Sequence, residues 1–134
     1  MEKIGATLLL GLFSRGRFSY ARAIVVEYIN MSFIDASVAD DLRCYEKVEL
    51  PEETEIEVPS VGKYVIFSVC TIDRVIFNGY EIPLPTVVHV AKTQKKIPLF
   101  EAYIGKDLIN YWQLYVDPLG GIIRSRVARR VKPE

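Results

Sequence analysis

The apolar positions of this chain fall mostly into long runs rich in β-branched and aromatic residues. LLLGLFSR (8–15) and FSYARAIVVEYINMSFI (18–34) are two such runs, with SRGR between them as a turn. KYVIFSVCTIDRVIF (63–77) and YEIPLPTVVHVA (80–91) are two more, joined by Asn78-Gly79, the strongest short hairpin signal. Long, mostly apolar strands of this kind predict a closed or two-layer β core. Two stretches depart from the pattern. In FIDASVADDLRC, Asp35 stands where an N-cap belongs, and Val38, Ala39 and Leu42 repeat at helical spacing, which predicts a short helix over 36–42. In KDLINYWQL, Leu108, Ile109 and Trp112 share one helical face. Between them lies an acidic segment, LPEETEIEVPSVGKYVIF, that reads as a loop and then a hairpin. Its tip falls at Ser60-Val61-Gly62-Lys63, where Gly62 accepts a positive φ.

With 134 residues, 50% of them hydrophobic, the chain is long enough for one domain with a substantial core, with a basic tail at about 124–134. Lys+Arg and Asp+Glu are both 17, so no global field draws it to nucleic acid. The tail RSRVARRVKPE carries Arg124, Arg126, Arg129, Arg130 and Lys132. Three readings of it stand: a phosphate-binding arm, a frayed end, or a strand whose Val127 and Val131 pack in a dimer sheet. The neutral balance of the whole argues against the first. The apolar run IGATLLLGLF (4–13) is too short to span a bilayer and reads as a strand. Without a targeting segment, the expected setting is intracellular and cytoplasmic.

Candidate chemistry is sparse. Cys44 and Cys70 have no CxxC or His-rich companion, so neither a metal nor another cofactor is expected; two separately buried thiols are the simplest expectation, and a Cys44–Cys70 bridge is the alternative. His89, the one histidine, sits inside the apolar VVHVA and reads as a packed strand residue rather than a general base. GLFSRGR lacks the Lys-Ser/Thr ending of a phosphate loop.

One segment carries a more specific signal. Tyr103-Ile104-Gly105-Lys106-Asp107-Leu108-Ile109 resembles the hydrophobic-hydrophobic-Gly-x-Asp-hydrophobic-hydrophobic segment near the end of retropepsin-like aspartic peptidases, and QLYVDPLGGII (113–123) resembles their closing strands. FIDASVADDL is similar to the family's continuation after its catalytic loop, and the hairpin near Gly62 falls where the substrate-covering flap would be. The resemblance covers roughly residues 5–124. It implies an all-β, retropepsin-like barrel with one or two short helices, and a homodimer in which each subunit lends one Asp from an Asp-Thr/Ser-Gly loop. It also implies structural roles for Gly105 and for Asp107, whose charge suits the start of the C-terminal helix. Asp117-Pro118 reads as the start of a turn.

The catalytic loop itself departs from the family. Counted back from Ser32-Phe33-Ile34, it begins at Val26 or Glu27, and the residues there are Val26-Glu27-Tyr28-Ile29-Asn30. Glu27 is the only carboxylate in register. It is one methylene longer than Asp, Tyr28 is too large for the interlocking hydroxyl position, and Ile29 resists the backbone that Gly allows. The expectation is a rebuilt loop, drawn out into a continuous strand. In another register Asp35, in Phe33-Ile34-Asp35-Ala36-Ser37, would be the catalytic acid, but Ala36 and Ser37 stand in the wrong order for that loop. Two function classes follow: a catalytically silent homodimer that binds a peptide or protein segment or serves as an assembly module, and a peptidase with an unusual acid pair, Glu27 or else Asp35. Nucleic-acid binding through the tail is a weaker third.

Overall fold

A computed structural model describes residues 6–46, 54–58, 62–93, 99–117, 119 and 121–131. The first two strands, β1 (Thr7–Ser14) and β2 (Arg17–Val25), form a hairpin in the register Ser14↔Arg17. Its turn places Arg15 and Gly16 at φ 49 and 80, the left-handed pair whose twist suits a two-residue hairpin. The inward positions Leu10, Leu12, Ala21 and Ala23 are buried. The chain then passes through β3 (Phe33–Asp35), α1 (Ala36–Leu42), β4 (Tyr45–Glu46), β5 (Thr54–Val58) and β6 (Gly62–Ile72). β6 alternates inward and outward without a break, with Tyr64, Ile66, Ser68, Cys70 and Ile72 facing in.

Two expected long strands are each divided. The 63–77 run breaks at Asp73, whose N–H donates to the Phe13 carbonyl at 2.7 Å and whose carboxylate accepts the Arg15 N–H at 2.7 Å. β7 (Arg74–Phe77) therefore leaves β6 and pairs with β1. The 80–91 run breaks at Pro83-Leu84-Pro85, where two residues lack the N–H a ladder needs, giving β8 (Tyr80–Ile82) and β9 (Thr86–Thr93). The Asn78-Gly79 turn joins β7 and β8, as its sequence predicts.

The chain closes with β10 (Ala102–Ile104), α2 (Lys106–Tyr111), β11 (Leu114–Val116), β12 (Ile123–Ser125) and β13 (Arg129–Arg130). One eleven-stranded sheet runs β13-β8-β7-β1-β2-β10-β3-β9-β6-β4, with β5 also on β6, while β11 and β12 make a separate two-stranded sheet. The large sheet curls, so that Leu10 and Leu12 of β1 share one core cluster with Ile72 of β6, Val88 of β9 and Trp112 after α2. The chain is thus all-β with two short helices. Among the described residues, no helix is long and apolar enough to cross a membrane.

The α1 helix occupies the predicted span. Asp35 caps it, accepting the Ser37 N–H at 3.0 Å, and Val38, Ala39 and Leu42 are its buried face. Of the two readings of the cysteines the structure shows the bridge: Cys44 and Cys70 are bonded to each other, with Cα atoms 5.0 Å apart. The cause is register. Tyr45 of β4 pairs directly with Cys70 of β6, which brings the preceding Cys44 within bonding reach.

Candidate functional site

The expected continuous strand through residues 18–34 does not form. β2 ends at Val25, a turn follows in which the Ile29 N–H donates to the Val26 carbonyl at 3.3 Å, and β3 begins at Phe33. Strand propensity at 26–29 is overridden because the loop is held from the far end of the sequence. The Val26 N–H donates to the Ile104 carbonyl at 2.8 Å, and the Lys106 and Asp107 N–H groups donate to the Ile29 and Asn30 carbonyls at 2.9 and 3.3 Å. The loop is built without any residue at positive φ, so Ile29 in place of a glycine causes no backbone strain.

Ser32, Gly105 and Asp107 fasten this arrangement. The Asp107 carboxylate accepts the Ser32 N–H at 3.0 Å and also the Ser32 hydroxyl, and that hydroxyl oxygen in turn accepts the Gly105 N–H at 2.7 Å. The carboxylate lies in the first turn of α2 and accepts the Leu108 N–H as well. Gly105 is needed for space: a Cβ there would lie 2.7 Å from the Ile29 carbonyl oxygen. Ser32 is only 1% exposed and was not singled out in the sequence. Its signal, a hydroxyl just before the strand that follows the loop, has meaning only once Asp107 is known to face it.

Above the loop lies the β5–β6 hairpin, and the space between them is filled. Val26 and Ile29 of the loop, 2% and 7% exposed, join Phe33, Val58, Tyr64, Ile66 and Tyr103 in a second buried cluster. The Phe33 ring lies 4.8 Å from both the Tyr64 and Tyr103 rings, and the two tyrosine hydroxyls share a hydrogen bond of 2.6 Å. Burial, together with that bond, pushes the Tyr103 phenol well above its usual range, so it stays protonated.

Glu27 is exposed at the loop's turn, has no partner among the described residues, and lines a cavity of ≈ 90 Å³ with Ala6, Val25, Ile109 and Val116. Asp35 is engaged as the α1 cap and is not among the residues lining the cavity beside Glu27. In the hairpin, Gly62 and Lys63 begin β6, with Gly62 at φ 143 and Lys63 within 3.9 Å of Glu55; Ser60 and Val61 lie outside the described residues. His89 is half-buried in β9, opposite Phe33. The described part of the basic tail folds back as β12 and β13. Arg124 pairs with Asp117 at 2.8 Å, Arg129 with Glu81 at 3.7 Å, and the Val131 N–H donates to the Gly79 carbonyl. Lys132 lies outside the described residues. The Leu119 N–H and Arg124 hold the Asp117 carboxyl below its ordinary range. No group of three or more His, Cys, Asp or Glu is arranged to hold a metal among the described residues.

No protein-family model matches the sequence, and no curated protein does. Among solved structures, the chain is similar to the retroviral protease-like domain of Ddi1 from Leishmania major, with a TM-score of 0.57 and 14% identity over 92% of this chain and 90% of that one. A retropepsin-like aspartic protease from Rickettsia conorii aligns at TM-score 0.41 and 14% identity, over 87% and 88% of the two chains. A Legionella pneumophila protein of unknown function aligns at TM-score 0.43 and 14% identity, over 87% and 92%. The fold is retropepsin-like.

Proposed function

We propose that this chain is a catalytically silent retropepsin-like domain that forms a homodimer and serves as an assembly module or holds a peptide or protein segment. The observation that carries the reading is the loop at 26–30, which offers no aspartate and turns its apolar side chains into the protein. The chemistry of an acid dyad needs two carboxyl groups about 3 Å apart sharing one proton. Val26 contributes none, and Glu27 sits on the outer side of the turn.

The filled space under the hairpin points the same way. A substrate strand lying between hairpin and loop would have to displace side chains such as Val58, Ile29 and Tyr64. Exposing each costs about 1.5–3 kcal/mol. A peptide is better accommodated by strand addition at a sheet edge, such as the outer side of β5, than beneath the hairpin.

A second reading, a peptidase using Glu27 from each of two subunits, draws on the exposure of that carboxylate and its lack of a partner. Incubation with denatured casein from pH 2 to 8 separates the two. The silent reading expects no cleavage at any pH. Cleavage that disappears in Glu27→Gln would establish the peptidase.

A further inference from the structure

The net charge of zero conceals a strong segregation. Segments 7–25, 73–82 and 122–131 hold eight of the nine arginines and no lysine, against two acids, Asp73 and Glu81. They build β13, β8, β7, β1 and β2, five neighbouring strands at one end of the main sheet, together with β12. Glu101 and Asp117 reach in from outside these segments to pair with Arg22 and Arg124, while Arg74 and Arg129 share Glu81. Eight arginines against four acids leave this end with four positive charges in excess. The sequence hides that excess because the three segments are far apart along it.

The outer face of the same strands is aromatic. Leu10, Leu12, Ala21 and Ala23 point into the core, so Phe13 of β1 and Phe18 and Tyr20 of β2 stand on the opposite side. Ring centroids are 4.6 Å apart for Phe13 and Phe18 and 4.5 Å for Phe18 and Tyr20, and the Arg74 guanidinium lies 4.4 Å over the Phe13 ring. Gly11 lets the Phe18 ring lie across β1, since a Cβ there would come within 2.9 Å of it. Tyr20 is 63% exposed and Phe18 41%. Exposed rings among arginines offer bases a surface to stack on and phosphates a set of planar cations. We propose that this face binds single-stranded nucleic acid, with Tyr20 and Phe18 stacking on bases and the arginines of β2, β7 and the β1–β2 turn following the phosphates. An acidic peptide would use the charge but leave the rings bare, and a duplex keeps its bases away from them. Such binding requires neither a homodimer nor a peptide site.

The test is fluorescence anisotropy of the full chain with labelled oligo-dT and oligo-U, with a DNA duplex of the same length, and with unlabelled polyglutamate as competitor, over a series of salt concentrations. Single strands are expected to bind more tightly than the duplex, with log K falling against log salt at about 0.7 per phosphate contacted. Tyr20→Ala is expected to weaken single-strand binding about tenfold without changing that slope. Arg74→Ala is expected to weaken it for every sequence and to flatten the slope by about one contact. Both positions are exposed, and circular dichroism checks that the fold is kept. No binding at the lowest salt, a duplex bound as tightly as the single strands, or Tyr20→Ala binding like the native chain would each overturn the stacking face. Displacement by polyglutamate as readily as by unlabelled oligonucleotide would overturn it in favour of an acidic peptide.

Discussion

Ser32 and Asp107, 75 residues apart in sequence, meet through the serine's N–H and hydroxyl, both donated to one carboxylate. The same hydroxyl oxygen receives the Gly105 N–H. A single side chain thus adds to the backbone bonds that tie the 26–32 loop to the strand–helix junction at Gly105.

Ser32→Ala removes the hydroxyl and leaves the buried Gly105 N–H without its acceptor, while the carboxylate of Asp107, an exposed residue, turns to water. A buried group orphaned in this way costs about 1–3 kcal/mol. Chemical denaturation is expected to show a loss of that size, with a larger loss for Asp107→Ala, which abandons the Ser32 N–H, the Ser32 hydroxyl and the Leu108 N–H together.

Gly105→Ala tests the space rather than the bonds. The new Cβ meets the Ile29 carbonyl oxygen at 2.7 Å, and a backbone atom cannot rotate aside. Overpacking typically costs about 1–3 kcal/mol. The expected readout is a lower denaturation midpoint together with altered amide chemical shifts at residues 26–32.

The Cys44–Cys70 bond closes a loop of sequence separation 26 that contains the whole β5–β6 turn. Its loss in Cys44→Ala/Cys70→Ala is expected to cost about 3 kcal/mol, by the constraint it places on the unfolded chain. Comparing melting curves of that variant with those of the native protein before and after denaturing reduction checks this.

Asp117 makes a pH prediction. Its folded-state carboxyl lies below the ordinary aspartate range because the Leu119 N–H and Arg124 favour the charged form. The stabilisation is complete above the unfolded value and is lost as pH falls through the folded one. The stability gap between native protein and Asp117→Asn is therefore expected to close on acidification below about pH 4, as followed by denaturation at a series of pH values.

The elements legible in the sequence are those set by local chemistry. Asp35 and the Val38, Ala39, Leu42 spacing give α1, and the Arg15-Gly16 and Asn78-Gly79 turns give their hairpins. The misses come from distant contacts. Residues 26–29 look like strand because they are mostly β-branched and aromatic, yet backbone bonds from 104–107 hold them as a loop. The bond between Cys44 and Cys70 follows from β4–β6 register, which no local pattern encodes. The site was legible as an absence of Asp, Thr and Gly at 26–30. The filling of the space above it by Phe33, Tyr64 and Tyr103 was not, since three rings from separate strands meet only in the folded sheet.

The central claim is that the two carboxylates a peptidase of this fold requires never come together. A crystal structure of the dimer measures this directly, as the distance between the two Glu27 carboxyl groups. The expected result is that they lie apart. Two Glu27 carboxyls about 3 Å from one another, sharing a water on the twofold axis, would contradict it.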